Sequence, residues 1–507
     1  MGGRLRRSGP AAVLLLALGG CFRHPGLPPL PPDVLRAGLT QEDYALRRSF
    51  AAARFDEAVA LVSGKGRFAP EDELLASLYR ASALYYAGRF DTSGVTLDRA
   101  AILADERFTK SVSRNLLATI TNDGVLPYEP SQTERLMMNY YGMLDFLRRG
   151  DAEGAAVEAR RISALLESFD SRKDSVDIRT RALLNYLAGA SFEAAGEKAD
   201  AEVSYRVARA LVGDSALPFP AAAKRRPRPR AGTRATTAPA PAVPTGELIV
   251  VVEHGYVAHR VPRLMLVPVT EEEFDKFGGK PEETLAAVTA ISARALAWIA
   301  LRQDHVTWRD DDDDRELRMD DDRVSVAYLL PVAWTSLQRP YHPAWRGSLL
   351  VDATIRQPFA VNADLCDAVA NDFRRSRPAA FARGVIRAGA KLALARAAVS
   401  KAEDRKGEIA GTVTRWATDA LAIATERADI RQWRLLPGEL SVMRLSLPAG
   451  THDLTIEYAP RPGEAARLVP LGRVEVAPGR IAFATTRLWE DGVTDRVRAV
   501  VAGTAAR

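Results

Sequence analysis

The 507-residue chain has only two cysteines, Cys21 and Cys366. A scaffold stapled by disulfides would show an even set of closely spaced cysteines, so that class is excluded. Histidine is sparse too: His24, His254, His259, His305, His342 and His452 are the whole set. None has zinc-site spacing, so no metal is expected, and no cofactor motif suggests another group. There is no P-loop, no dinucleotide-binding glycine fingerprint and no Gly-x-Ser-x-Gly elbow. The commonest signatures of nucleotide and acyl chemistry are therefore missing, and a non-enzymatic protein is expected. After the first 20 residues no continuous apolar run reaches the roughly 20 residues of a transmembrane helix.

The start of the chain carries the strongest positive signal. Arg4, Arg6 and Arg7 precede a short apolar stretch, Ala11 to Leu18, which ends in Leu18-Gly19-Gly20-Cys21. This pattern resembles a bacterial lipoprotein signal, which implies a signal peptide over 1–20 and lipidation of Cys21. The thiol is the nucleophile that such a transfer needs. Phe22 rather than Asp follows the cysteine, and by the usual sorting tendency this implies the outer membrane. The expected partner at this end is the membrane, reached through the lipid, with the folded part facing the periplasm. Residues 21–38 contain Pro25, Pro28, Pro29, Pro31 and Pro32 and read as an extended tether.

The formal net charge is +6. Lys224, Arg225, Arg226, Arg228, Arg230 and Arg234 supply six positive charges in one Pro/Ala/Arg-rich linker, 214–245. The remainder is close to neutral, so no nucleic-acid partner is expected. That linker is expected to be disordered and is the clearest domain boundary.

Residues 39–213 read as helices separated by turns near 53–58, 87–91, 149–153 and 195–199. Gly189, Phe192, Gly196, Ala201, Tyr205 and Ala208 resemble a tetratricopeptide pattern, with small residues where two helices meet and an aromatic filling the groove. The turns are unevenly spaced, so the array is irregular. After 245 the pattern changes to an α+β domain over 246–437, then a β-hairpin or sandwich-like part over 438–507. Leu248 to Val252 reads as a buried strand, 281–302 and 363–400 as helices, and 407–427 as another. Two closing hairpins are expected. One joins Ser441–Leu447 to Leu454–Tyr458 through Pro448-Ala449-Gly450. The other joins Leu471–Val476 to Ile481–Thr486 through Pro478-Gly479. The fold class is thus multidomain: an all-α tetratricopeptide-like helical repeat followed by an α+β domain ending in β-hairpins.

Among charged groups, the run Asp310 to Asp314 with Asp320-Asp321-Asp322 lacks an EF-hand frame and reads as a solvated loop. Arg383, Arg387 and Lys391 fall on one helix face. Glu426, Asp429 and Arg431 flank Trp433 before Leu435-Leu436-Pro437, which suggests a fixed corner. These six residues form either an anion or partner site or an interhelix ion-pair network, and the network is the preferred reading. Cys366, with no histidine near it in sequence, reads as a buried small residue.

The lipobox, Asn139-Tyr140-Tyr141, Val157 to Arg161, Gly246 to Val250, the arginine helix, Ala428 to Trp433 and Leu447 to Gly450 together resemble a family of uncharacterised bacterial outer-membrane lipoproteins with tetratricopeptide-like N-termini. The resemblance brings no catalytic residues. It implies an adaptor or scaffold in cell-envelope assembly or maintenance, binding an envelope protein through its helical repeats. Peptidoglycan or envelope-polymer binding by the C-terminal domain is the alternative, and an unrecognised enzyme the second.

Overall fold

The structure, a computed structural model, describes residues 30, 39–64, 68–114, 126–171, 176–220, 243–277, 280–301, 326–340, 346–406, 428–459, 465–489 and 500–501. Cys21, the acidic run, Glu426, most of the 214–245 linker and the helix expected over 407–427 lie outside these residues.

An N-terminal helical region comes first: α1 (Gln41–Ala51), α2 (Phe55–Ser63), α3 (Glu73–Tyr86), α4 (Phe90–Arg114), α5 (Gln132–Arg148), α6 (Ala152–Ser171), α7 (Ile178–Ala194) and α8 (Lys198–Val212). Local chemistry starts and stops them. Thr40 with Asp43, and Ser131 with Glu134, form reciprocal caps at α1 and α5. Gly150 and Gly196, at φ 78° and 83°, terminate α5 and α7 in the left-handed region. Close pairing of α7 with α8 depends on Gly189, where an added Cβ would lie 2.9 Å from the Tyr205 ring.

Two sheets follow. The first runs in the order β11 (Val500–Val501), β10 (Ile481–Leu488), β1 (Thr245–His254), β7 (Glu439–Pro448), β6 (Ala363–Asp364). The second runs β5 (Ile355–Phe359), β4 (Arg346–Val351), β8 (Gly450–Ala459), β9 (Arg467–Val476). They pack as a sandwich over Leu248, Val250, Leu349, Met443, Leu445, Ile456 and Tyr458. Strand β1 is buried almost end to end because both of its faces are covered. Leu248, Val250 and Val252 face the second sheet, while Ile249 and Val251 join the core of the helical region.

The pairing corrects both expected hairpins. The strands form where expected, but β7 pairs with β1 and β6, not with β8. Likewise β10 pairs in parallel with β1, not with β9. The Pro-Ala-Gly and Pro-Gly turns therefore carry the chain from one sheet to the other, and the true antiparallel neighbours are β8 and β9. The division expected at 438 is also replaced. Strands from before it (β1, β4, β5, β6) interleave with strands after it, and one sandwich is built from both.

Inserted between β1 and β4 is an antiparallel ribbon, β2 (His259–Thr270) with β3 (Val326–Gln338). Its inner face packs through Val267, Val269, Leu330 and Val332 on α10 (Pro281–Leu301) and the second half of α11 (Leu365–Lys406). A short helix, α9 (Glu271–Lys276), caps the ribbon. Helix α11 contains Pro378, whose missing N–H leaves the carbonyl four residues earlier without its helical donor.

One buried acid destabilises the helical region at neutral pH. Asp145 on α5 is fully buried, and burial, only partly offset by the Ser93 hydroxyl and Arg149, pushes its carboxyl up to about 8. The folded state therefore binds this proton more tightly than the unfolded chain does. Asp145 leaves stability undiminished below about pH 4 and weakens it by roughly 1.4 kcal/mol per pH unit as pH rises toward 8. Denaturant melts of wild type and Asp145→Asn between pH 5 and pH 8 should diverge, with the variant the more stable at pH 8. Parallel curves would refute this.

Candidate functional site

Two arrangements join the helices to the sheets. The first is a buried polar cluster. Glu253 on β1 sits beside Arg487 on β10 in the parallel register, and both are almost inaccessible to solvent. The Tyr86 hydroxyl donates to Glu253 Oε2 at 2.6 Å, and the Tyr140 hydroxyl to Oε1 at 3.1 Å. Arg487 donates to the Tyr86 hydroxyl (2.9 Å), the Leu435 carbonyl (2.6 Å) and the Gly255 carbonyl (2.7 Å). Its guanidinium lies 4.1 Å from the Trp489 ring centre. Burial pushes the Glu253 carboxyl up, against Arg487 and the tyrosine hydroxyls, which hold it down.

The second is the 428–437 corner, which the charge and tryptophan pattern anticipates. Trp433 donates its backbone N–H to Glu134 (2.6 Å) and its indole N–H to Ser82 (2.8 Å). Tyr79 donates to the Gln432 carbonyl at 3.2 Å. Arg434 pairs with Asp43 at 2.6 Å. Burial alone would raise the Asp43 carboxyl, but Arg434, Arg47 and Thr40 hold it below its ordinary value. The face made by α1, α3 and α5 is thus covered by the chain's own corner and by β1 and β10.

Beside this corner lies a cleft of about 530 Å³, within the range of small-ligand sites. One wall is the approach to α5, from Leu126 to Arg135. The other is α11 from Asp372 to Arg387, with Ala333, Trp334 and Thr335 of β3 and Asp429 and Arg431 of the corner. Among the described residues, seven arginines line it (Arg135, Arg260, Arg375, Arg377, Arg383, Arg387 and Arg431), against three carboxylates, Glu129, Asp372 and Asp429.

Four of the six residues singled out in the sequence meet here. Asp429 does not stand opposite Arg383 or Arg387 as a free acid. Its two oxygens receive Arg431 at 2.8 and 2.7 Å, and Arg431 reaches on to Asp72 (2.9 Å) and the Leu126 carbonyl (2.7 Å). Although burial alone would lower it, these carboxylates raise the Arg431 pKa. Arg383 and the buried Arg387 line the cleft and are both engaged. Lys391 lies one turn beyond and is not part of the lining. Glu426 lies outside the described residues.

Arg377, Arg260 and Trp334 were not singled out. Asp372 takes the Thr133 N–H (2.8 Å) and Arg375 (2.8 Å). Arg377 has no carboxylate partner among the described residues. Its Nε is buried without a hydrogen bond, its guanidinium lies 5.1 Å from the Trp334 ring centre, and burial alone lowers its pKa. The Arg260 guanidinium likewise lacks a carboxylate among the described residues, while its backbone binds Gln432 and Arg434. The run Arg374-Arg375-Ser376-Arg377-Pro378 was the available signal.

Comparison with protein-family models and with curated proteins finds no match for this chain.

The two kinds of arginine should separate in denaturant melts. Arg431→Ala leaves Asp429 and Asp72 facing each other without their shared cation and should cost about 2–4 kcal/mol. Arg377→Met removes a half-buried charge without a carboxylate partner among the described residues and should change stability by less than about 1 kcal/mol. Equal losses would show that Arg377 is a structural member of the same network.

Proposed function

We propose that this chain is a lipid-anchored, periplasm-facing scaffold of the bacterial cell envelope, which holds an acidic envelope component in the arginine-lined cleft. The observation that carries the reading is Arg377: a half-buried guanidinium with no carboxylate partner among the described residues, in a cleft already rich in arginine. A partly desolvated cation without a counter-charge is unfavourable, and a bound carboxylate or phosphate would compensate it with paired hydrogen bonds.

The helical region, in this reading, is a tetratricopeptide-like array used as one wall of the site. A protein partner lying along α1, α3 and α5 is less well supported, because Trp433, Arg434, β1 and β10 already occupy that face. A binding role fits the lining better than a catalytic one. The Ser131 hydroxyl is committed to capping α5, no histidine among the described residues lines the cleft, and arginine is a poor proton carrier because it stays charged. The anchoring rests on the Leu18-Gly19-Gly20-Cys21 motif.

Purified mature protein should co-sediment with isolated peptidoglycan sacculi at low salt. The bound fraction should fall with added salt, and by about tenfold or more in an Arg377→Glu, Arg383→Glu double variant with an unchanged far-ultraviolet spectrum. Binding that ignores both salt and the double variant would contradict the proposal.

A further inference from the structure

At one end of the sandwich a single side chain ties a turn to a crossover. His452 on β8 is buried, on the face that carries Leu454, Ile456 and Tyr458 into the core. Its Nδ1 lies 2.7 Å from Asp352 Oδ2, in the turn between β4 and β5. Its Nε2 lies 2.8 Å from the Pro448 carbonyl, where the chain leaves β7 for β8. The turn needs holding. Asp352 and Ala353 both adopt left-handed backbone, at φ 51° and 54°, which alanine enters only at a cost. Besides the imidazole, the Asp453 N–H holds Asp352 Oδ1 at 2.8 Å, and the Asp352 N–H donates to the Asp453 carbonyl at 2.9 Å.

Both partners of the ring are acceptors. A carbonyl oxygen only accepts, and so does an ionised carboxylate. The imidazole completes both bonds only with a proton on each nitrogen; the neutral ring has one N–H and leaves one contact without its donor. The bond to Asp352, and then the one to Pro448, raise the His452 pKa above 6.5, while burial opposes them. The same bond holds the Asp352 carboxyl below its ordinary value. Among the described residues Asp352 is the one charged side chain that faces the ring. Opposite His452 on β9 stands Val474, and the adjacent charges, Asp453 and Arg473, pair with each other at 3.0 Å. The ring's contribution is therefore complete below about pH 6.5, and one bond is lost as pH rises through the raised folded value.

We propose that His452 is a proton-operated latch: as an imidazolium it fastens the β4–β5 turn to the crossover between the two sheets, and on losing its proton it lets the crossover go. The crossover holds more than itself. Its Ala449 N–H donates to the Pro244 carbonyl at 2.8 Å, immediately before β1 begins at Thr245. The latch thus makes the seating of the last residues of the 214–245 linker a function of pH. It shares no residue with the arginine-lined cleft and stands or falls apart from the acidic-ligand reading.

Nuclear magnetic resonance of the whole purified protein, with its histidine rings labelled with nitrogen-15, reads the latch directly, and His452→Gln identifies the signal. Both ring nitrogens of His452 should be protonated at pH 6 and should titrate with a midpoint above 6.5. Asp352→Asn should lower that midpoint by about one pH unit or more. Burial also pushes Asp145 and Glu158 of the helical region up, to about 8 and about 7, so overall stability mixes several groups and the release is read locally. Hydrogen exchange over residues 449–453, corrected for the intrinsic effect of pH, should quicken about tenfold across the midpoint. The step should vanish in His452→Gln, with a melting temperature that shows it folded, and should move to lower pH in Asp352→Asn. A midpoint at or below 6.5, or a singly protonated ring at pH 6, would overturn the doubly donating imidazole. A raised midpoint with no change in exchange, or a step that persists in His452→Gln, would show that the crossover is held without the ring and would overturn the latch.

Discussion

Everything else in this molecule depends on two buried charges of opposite sign, Glu253 and Arg487, joined through the Tyr86 hydroxyl. Glu253 and Arg487 stand side by side on parallel strands, in a layer with almost no solvent. Two charges in such a place are costly unless their remaining hydrogen-bonding capacity is filled. Neither strand fills it. The tyrosines of α3 and α5 fill most of it, together with carbonyls at Gly255 and Leu435, while the Arg487 Nε keeps no hydrogen-bond partner among the described residues. The sheet therefore needs the helices, and the helices need the sheet to bury Tyr85, Tyr86, Tyr140 and Tyr141. A single apolar core running from Phe50 through Trp433 and Trp489 to Ile249 and Val251 follows from that mutual need.

The cleft is a by-product of the docking. Its walls belong to segments far apart in sequence: the approach to α5, the middle of α11, the end of β3 and the 428–431 corner. Arg431 ties two of them, bridging Asp429 to Asp72 and the Leu126 carbonyl. Once those walls are fixed, Arg377 has no acid within the described structure to neutralise it. Several arginines of the helical region have a nearby acid, as in Arg89–Asp56 and Arg161–Glu158, and the proposed ligand would supply the acid that Arg377 lacks.

Local chemistry made much of this visible from the residues alone. Capping pairs, the glycines at α5 and α7, and the continuous Leu-Ile-Val-Val-Val strand each act within a few residues, so helices, turns and strands lie near where their pattern puts them. Pairing partners do not work that way. A Pro-Ala-Gly turn suits a tight hairpin and a corner between sheets equally well, and the choice is made by β1, some 190 residues upstream, which slots between β7 and β10. The site was half legible for the same reason. The helical spacing of Arg383 and Arg387 and the density of charge before Leu435 were readable. Which acid meets which arginine was not, because Asp72, the acid that completes Arg431, lies on another part of the chain. In the sequence Arg377 is one of several arginines before a proline, and only the fold sets it over Trp334.

The central claim is that helices and sheet form one cooperative unit through the Glu253–Arg487 cluster. Native-state hydrogen exchange across a denaturant series measures it most directly. Amides of α3 and α5 should converge with those of β1 and β10 on one opening free energy, because neither layer keeps its buried polar groups satisfied without the other. If α3 and α5 instead exchange through a separate, lower-energy opening while β1 and β10 stay protected, the two layers are independent and the shared core does not hold the cleft in place.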